Sequence, residues 1–303
     1  MLKLEPISKR RIWGTKKLHE YCGDQSIDKI GSIYTVSAIE EISNRITNGE
    51  YAGQDLYHLV KQNPEMLGLE KGETYPLIVS MTGAGDNLSI QVHPTDDYVM
   101  ENGIEKTGKS ESWYFLEGPD EGWIYAGAKI EDKTIIREKI QEGKYKEVVD
   151  TLPVNQLDYV FIPSGTLHAL TTGSLVYEIQ QSTDITYRFY DYDRVDKDEK
   201  KRELHLENAL DTLEPSKKPE KSALQKNEWK KEKPYQILLT DFKEGYENKE
   251  TVAQAMTVIN GTLRIENETV EKGMSILILP GEKLDVRQSA EVIIATPNMY
   301  WRS

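Results

Sequence analysis

The chain has 303 residues, of which 29% are charged and 38% hydrophobic, an ordinary balance for a globular protein. Its formal net charge of -13 argues against general affinity for nucleic acid or anionic membrane surfaces, because both rely on clustered Lys and Arg. Cys22 is the only cysteine, which excludes an intrachain disulfide and a cysteine-ligated zinc site.

The first part of the chain combines a short strand with a short helix. Apolar alternation predicts a strand over 30–37, and Leu56, Leu59 and Val60 at helical spacing predict a helix over 54–61. The N-terminus lacks the apolar core of a signal peptide, and no apolar run approaches the roughly 20 residues needed to cross a bilayer. We therefore expect a cytoplasmic protein that does not bind membranes.

Many short strands follow from residue 75 onward, separated by Gly, Pro, Asn and Asp turns. The predicted strands cover 75–81, 87–93, 113–116, 123–126, 158–162, 174–180 and 186–190. Two further stretches, 133–150 and 203–213, carry helical patterns. Short strands at a spacing of about ten residues predict a mainly β sandwich or barrel, with the helices as insertions.

The composition changes after residue 214. Residues 215–234 contain three prolines and scattered lysines interleaved with glutamates, which is typical of a solvated linker. Residues 235–303 return to strands and turns and predict a second, smaller β barrel. No histidine occurs after His205, so this barrel holds no histidine-ligated metal. The predicted organisation is an N-terminal domain over 1–214, a linker over 215–234 and a C-terminal domain over 235–303.

The predicted strand 87–93 carries two ligand-type side chains. Because side chains alternate faces along a strand, Gln91 and His93 point to one side while Ile90 and Val92 point to the other. A second histidine, His168, follows a Pro-x-Gly turn after the strand 158–162, and Glu111 lies between the two histidines in sequence. Gln, His, Glu and His form a mixed N/O set suited to zinc or a similar divalent metal.

Every histidine also has a structural interpretation. His19, His58 and His205 lie in polar or helical surroundings and are interpreted as surface or helix-end residues. His93 and His168 differ because each sits at the end of an apolar strand beside a proline turn. Spacing alone leaves the metal-ligand and structural interpretations open.

These residues lie in motifs that resemble the cupin superfamily. Pro163-x-Gly165-x-x-His168 resembles the second cupin motif, and Gln91-x-His93 with Glu111 resembles the first, with glutamine in place of its usual first histidine. The stretches 88–94, 109–114, 165–169 and 178–191, together with Arg11-Ile-Trp-Gly and Arg202-Glu-Leu-His, resemble type I mannose-6-phosphate isomerases of the short bacterial form. This resemblance spans most of residues 4–213 and is weak over 235–303.

The resemblance implies a cupin (jelly-roll) barrel with helical insertions as a catalytic domain over 1–214, which binds one Zn²⁺ per chain and isomerises a sugar phosphate. It also implies that the smaller barrel over 235–303 is a degenerate, cupin-like barrel. The zinc ligands it implies are Gln91, His93, Glu111 and His168. It further implies Arg188 as a catalytic arginine, Glu178 as an acidic site residue, Lys109 as a site lysine and Ser89 as a substrate-binding serine. Each of these four also has a structural alternative: a Glu178–Arg188 ion pair, a solvated loop lysine, or a serine that satisfies backbone.

The chemistry explains why these residue types would occur together. Aldose–ketose isomerisation moves a proton between C1 and C2 through an enediol, so the site needs an electrophile and a fixed cation for the developing charge. We expect Glu178 to carry the proton, with Lys109 or a metal-bound water as alternatives. Lys109, Arg188 or Ser89 would bind the phosphate.

The chain departs from the family at three places, and other functions stay open. The family commonly has Gly-Glu-x-Trp where this chain has Gly31-Ser32-Ile33-Tyr34, and it commonly has a lysine near Ser80. The glycine expected before the second cupin motif is absent around Leu157-Asp158. The alternatives are a non-catalytic cupin that binds a sugar phosphate, an isomerase for another phosphosugar, and an iron-dependent oxygenase. The sequence does not define the oligomeric state.

Overall fold

The computed structural model describes residues 1–195, 200–243 and 245–302, and these form a mainly β protein. The strands up to residue 223 are β1 Leu2–Lys3, β2 Ile7–Thr15, β3 Ile30–Val36, β4 Ala38–Ile39, β5 Ile42–Ser43, β6 Leu77–Gly83, β7 Ile90–Val92, β8 Glu111–Glu117, β9 Trp123–Ala128, β10 Val149–Pro153, β11 Asp158–Ile162, β12 His168–Ala169, β13 Leu175–Gln181, β14 Tyr187–Tyr190 and β15 Glu220–Ala223. The later strands are β16 Trp229–Lys231, β17 Tyr235–Phe242, β18 Tyr246–Glu247, β19 Gln254–Asn260, β20 Thr262–Ile265, β21 Glu268–Glu271, β22 Ser275–Ile278, β23 Lys283–Leu284, β24 Val286–Gln288 and β25 Ala290–Pro297. The α-helices are α1 Leu56–Gln62, α2 Asp96–Glu101, α3 Lys133–Gln141, α4 Tyr145–Val148 and α5 Leu206–Thr212. Short 3₁₀ helices cover Lys17–Tyr21, Gly49–Tyr51, Pro64–Leu67 and Tyr300–Arg302.

The chain divides into two compact units. Unit 1 contains residues 1–10, 16–82 and those from 224 onward, and unit 2 contains residues 11–15 and 83–223. The boundary at Ala223 lies inside the predicted linker 215–234, but the first 82 residues belong mostly with the C-terminal part. These units therefore differ from the predicted division into 1–214 and 235–303.

Unit 2 is built from two groups of antiparallel strands that enclose an apolar core. One group has the order β10-β9-β12-β7-β14, and the other has the order β15-β11-β8-β13. The core includes Trp113 and Phe115 from β8 and Ile90 and Val92 from β7. The helices α3 and α5 add buried apolar side chains to this same cluster, so they cover the strands as insertions.

Unit 1 has its own apolar core on a six-stranded sheet. The strand order is β1-β22-β19-β25-β17-β16, and β17 pairs with β25 along its whole length from Tyr235↔Pro297 to Phe242↔Ala290. Alternate residues of these strands, such as Met256, Val258, Val292 and Ile294, fill the core. Unit 1 is thus also a β unit, and its sheet includes strands from the predicted segment 235–303 together with the N-terminal strand β1.

Two predicted elements differ from the structure. The predicted helix 133–150 ends earlier, because Gly143 adopts a left-handed φ of 74° between α3 and α4 and the β-branched residues from Val149 onward form β10. The predicted linker contains two strands: β15 pairs with β11, and β16 pairs with β17. Backbone pairing therefore fixes segments that composition alone describes as solvated.

No helix among the described residues combines the length and apolarity that a bilayer crossing requires.

The departures at Ser32 and Ser80 lie together in unit 1. Ser32 on β3 pairs with Thr82 on β6, and its hydroxyl lies 3.1 Å from the Thr82 hydroxyl. The Ser80 hydroxyl lies 3.1 Å from the same Thr82 oxygen, and all three side chains are buried. A neutral hydroxyl network therefore connects Ser32 and Ser80 through Thr82.

The missing family glycine corresponds to a left-handed turn. Leu157 has a φ of 69° in the loop between β10 and β11, where the Asn155 carbonyl accepts a bond from the Asp158 N–H at 3.2 Å. A left-handed conformation costs a residue with a Cβ about 1–2 kcal/mol, which glycine avoids. The Leu157 side chain is 58% exposed, so its packing offsets little of this conformational cost.

We therefore expect Leu157→Gly to stabilise the protein. After the greater chain entropy of unfolded glycine is subtracted, the expected gain is about 0.5–1 kcal/mol, or about 1–3 °C in Tm. Leu157→Ala is the matched control, because it removes the exposed side chain but keeps the left-handed cost. Thermal unfolding of both variants checks the prediction, and an unchanged or lower Tm for Leu157→Gly alongside an unchanged Leu157→Ala would contradict it.

Candidate metal site

The strand β7 presents two polar side chains on one face. Ile90 and Val92 are fully buried on the opposite face, which leaves Gln91 and the following His93 to point together. In the sheet, Gln91 pairs with His168 of β12 on one side and with Arg188 of β14 on the other. One row across three strands therefore carries three of the predicted site residues.

The turn before His168 is fixed by a glycine. Gly165 has a φ of 83°, and its N–H donates to the His93 carbonyl at 2.8 Å. A Cβ at this position would lie 2.8 Å from the Thr95 Cγ2 and 3.1 Å from the Thr212 carbonyl oxygen. Only glycine combines this backbone conformation with this close approach. The Pro-x-Gly turn thus ties the segment leading to His168 to the backbone of His93.

A second backbone contact brings Glu111 to the same place. The Lys109 N–H donates to the Pro94 carbonyl at 3.0 Å, just after His93 and two residues before Glu111 begins β8. The Lys109 side chain is only 6% exposed, and its Nζ lies 3.8 Å from the Glu111 Oε2. A buried ammonium therefore accompanies the carboxylate.

His93, Glu111 and His168 form a buried cluster. The His93 Nε2 lies 3.0 Å from the Glu111 Oε2, and the His168 Nε2 lies 3.3 Å from the Glu111 Oε1. The candidate ligand atoms all lie within 4.8 Å of one another. This group is the candidate metal site.

Hydrogen bonds on the far side of each ring fix the tautomers. The His93 Nδ1 lies 2.9 Å from the Ile185 carbonyl oxygen, and the His168 Nδ1 lies 2.8 Å from the Thr166 carbonyl oxygen. Since a carbonyl only accepts, each Nδ1 carries the proton and each Nε2 directs a lone pair at the cluster. This is the arrangement that metal-binding histidines commonly have.

At neutral pH, His93 is neutral and Glu111 is ionised. Burial, and then the Lys109 ammonium, lower the pKa of His93 to about 4, so this imidazole is neutral at pH 7. Burial raises the pKa of Glu111, but its interactions with His93 and His168 outweigh burial and hold that pKa well below its ordinary value. At neutral pH the Glu111 carboxylate therefore faces the neutral His93 imidazole.

A divalent cation fits this arrangement. Within the described part of the chain, the His93 Nε2 and the Glu111 Oε1 are fully buried without a hydrogen-bond partner. Leaving such atoms unpaired is costly, and a cation would satisfy both together with the His168 Nε2. Two imidazoles and one carboxylate are ligands that zinc and related divalent metals accept.

Gln91 lies beside the cluster with its amide nitrogen inward. Its Nε2 is 3.4 Å from the His168 Nε2, so the amide N–H points to the imidazole lone pair. A half-turn of the amide would bring the oxygen to this place as a fourth donor. Gln91 therefore stays a predicted ligand.

The other predicted residues lie on neighbouring strands. The Trp113 Nε1 donates to the Glu178 Oε1 at 3.2 Å, and the Trp113 ring lies 5.7 Å from the His168 ring. Arg188 is the cross-strand neighbour of Gln91. Ser89 is 4% exposed and precedes Gln91 by two residues, which places both on one face by alternation. Glu178 and Arg188 therefore lie on strands that border the cluster, and Ser89 directly precedes β7.

Two residues near the site were not predicted. Gln180 is 5% exposed and pairs with Glu111, which puts its side chain on the same face as Glu178 and Glu111. Gln180 lies two residues after Glu178 in a predicted strand, and this spacing could have predicted that both side chains share a face. His205 precedes α5 at a helix end, as predicted, but its ring also contacts the backbone of Arg188. No sequence pattern connects these two residues, because the contact spans a loop.

The fold and the buried His–Glu–His group together define a mainly β protein with a candidate metal site. No protein-family model matches the chain. It is 39% identical over 213 residues to the probable mannose-6-phosphate isomerase GmuF of Bacillus subtilis, which covers 70% of this chain and 68% of that protein. It is also 34% identical over 222 residues to the mannose-6-phosphate isomerase ManA of B. subtilis, covering 73% and 70% of the two chains.

A solved structure extends the similarity to the whole chain. The crystal structure of the mannose 6-phosphate isomerase from B. subtilis superposes with a TM-score of 0.82 and 27% identity, covering 97% of this chain and 99% of that chain. The chain therefore belongs to the mannose-6-phosphate isomerase family.

Proposed function

We propose that the chain is a zinc-dependent aldose–ketose isomerase that interconverts mannose 6-phosphate and fructose 6-phosphate through an enediol. The observation that carries the proposal is the buried group of His93, Glu111 and His168, whose candidate ligand atoms lie within 4.8 Å of one another and include two atoms without a hydrogen-bond partner. The names of the relatives supply the substrate. His93, Glu111 and His168 would hold the zinc, and Gln91 would complete the set by turning its amide.

The zinc, when bound, would polarise or orient the substrate's carbonyl and hydroxyl oxygens. Glu178 takes the proton from C2 of the aldose, and O1 is protonated, which gives the enediol. Proton return to C1 with loss of the O2 proton gives the ketose, so the reaction consumes no oxidant or reductant. The Trp113 N–H bond to Glu178 orients that carboxylate, which is the candidate base.

Three side chains bind the negatively charged groups of the substrate: the cations Arg188 and Lys109 and the hydroxyl of Ser89. The Arg188 guanidinium is half-buried, and burial followed by the nearby Arg202 charge lowers its pKa, yet an arginine stays protonated at neutral pH. It stabilises the charge that develops on the enediolate oxygens. Lys109 and Ser89 bind substrate oxygens, including those of the phosphate. These cations give a protein of net charge -13 a local site for an anion.

An assay for conversion of mannose 6-phosphate to fructose 6-phosphate, before and after chelation, tests this function. We expect turnover in the zinc-loaded protein, loss on metal removal and recovery on zinc addition. A panel of other aldose phosphates in the same assay tests substrate choice. Substrate-dependent thermal stabilisation without any isomerisation would contradict the enzyme proposal and would indicate a cupin that binds a sugar phosphate without converting it. Turnover of another phosphosugar alone would replace the proposed substrate.

A further inference from the structure

The strand that carries Arg188 lies at the edge of its sheet group. β14 pairs with β7 on one side, and in the order β10-β9-β12-β7-β14 no further strand follows it among the residues that the structure describes. An edge residue whose N–H and C=O point outward needs partners from elsewhere. For Arg188, His205 supplies both. The Arg188 N–H donates to the His205 Nδ1 at 3.2 Å, and the His205 N–H donates to the Arg188 carbonyl at 2.8 Å.

These two hydrogen bonds determine how the backbone of Arg188 pairs with β7. In an antiparallel ladder, a residue whose N–H and C=O both point away from the partner strand forms a non-hydrogen-bonded pair with the residue opposite. Such pairs bring the Cα atoms to about 4.5 Å, closer than in the hydrogen-bonded type. Arg188 and Gln91 are therefore a close pair on the face that carries the metal cluster. The contact with His205 maintains this approach.

The residues before His205 hold the same strand at two more points. Arg202 donates to both oxygens of Asp191, at 2.8 and 2.5 Å, just after β14 ends. The Glu203 carbonyl accepts a bond from the Arg188 Nη1 at 3.4 Å. We call residues 202–205 the Arg188 clamp. It fixes the backbone of Arg188 through His205, the guanidinium through Glu203 and the strand end through Arg202.

The chemistry of the His205 contact is specific. Because a backbone N–H can only donate, Nδ1 must accept, and the proton of the neutral ring sits on Nε2. The His205 side chain makes no capping bond to α5, although the residue stands at that helix's N-terminal cap position. Replacing it therefore removes the contact to Arg188 without removing a helix cap.

We propose that His205 is a positioning residue for isomerisation. Its Nδ1 accepts a hydrogen bond from the Arg188 N–H and so orients the guanidinium toward the substrate. This inference rests on the proposed function, because it assigns His205 a role only through Arg188. A backbone displaced by about 1 Å can lower turnover by about 100-fold without changing any group that touches substrate.

Two variants separate the acceptor atom from the bulk of the ring. In His205→Asn the amide oxygen can take the place of Nδ1, whereas His205→Leu fills similar space with no acceptor. We expect His205→Asn to keep kcat within about threefold of wild type and His205→Leu to lose about 10- to 100-fold in kcat, with a smaller change in KM. Zinc content and Tm should stay near wild type in both. Hydrogen exchange at the Arg188 amide should accelerate in His205→Leu only.

The outcomes distinguish this inference from the proposed function. No turnover in the zinc-loaded wild-type protein overturns the proposed function and the role of His205 together. Wild-type turnover that His205→Leu leaves unchanged overturns the role of His205 alone. Equal losses in the Asn and Leu variants, with equal acceleration of Arg188 exchange, also overturn it, because rescue by the acceptor is then absent.

Discussion

His168→Ala is expected to lose stoichiometric zinc and, with it, isomerase activity. The substitution removes an Nε2 that lies 3.3 Å from the Glu111 Oε1 and is one of the few candidate metal-ligand atoms in the cluster. Removing a hydrogen-bond partner that merely orients a ligand typically costs about 10- to 100-fold in metal affinity, so losing the ligand itself should cost more than about 100-fold. Metal analysis after dialysis against a zinc buffer, followed by the isomerase assay, measures both effects.

The same substitution at another histidine provides the control. His58 is 59% exposed and its ring bonds to the Asp55 carboxylate at the start of α1, so His58→Ala should keep full zinc content and activity. A circular dichroism spectrum like that of wild type would show that His168→Ala still folds. Wild-type zinc content and affinity in a folded His168→Ala would remove His168 from the ligand set.

Arg188→Ala is expected to show the opposite pattern, with zinc retained and turnover lost. Arg188 reaches the site as the neighbour of Gln91, and its guanidinium bonds to the Glu203 carbonyl rather than to the metal cluster. If the guanidinium stabilises charge that develops only in the transition state, its loss should lower kcat by about 10²–10³-fold. Steady-state kinetics at saturating zinc, with metal analysis of the same sample, check this.

Arg137→Ala is the matched control, because Arg137 forms an exposed ion pair with Glu207 on the helical insertion and should leave kcat unchanged. Arg188→Lys should recover only part of the activity, since an ammonium keeps the charge but not the planar fork. A kcat for Arg188→Ala within about threefold of wild type, at full zinc content, would exclude the catalytic role.

The local parts of the site could be predicted from the sequence. Alternation in β7 is a property of any strand, so Gln91 and His93 had to share a face once the strand existed. The Pro-x-Gly turn before His168 predicted a tight turn, and Gly165 does take the left-handed conformation that glycine permits. These signals depend on neighbours within a few residues, which the sequence contains directly.

The parts set by long-range pairing could not be predicted. The row of His168, Gln91 and Arg188 depends on the register of β12, β7 and β14, and nothing within any one strand encodes it. The contact between His205 and Arg188 depends on a loop that returns to an edge strand. The grouping of the N-terminal strand β1 with β22 in unit 1 likewise joins distant parts of the chain. Only the family resemblance brought the predicted ligands together before the structure did.

A zinc titration of the metal-free protein, followed by the rate of mannose 6-phosphate isomerisation, tests the central claim most directly. We expect the rate to rise in proportion to added zinc and to level off at one zinc per chain. A rate independent of zinc, or no isomerisation at full zinc occupancy, would contradict the account.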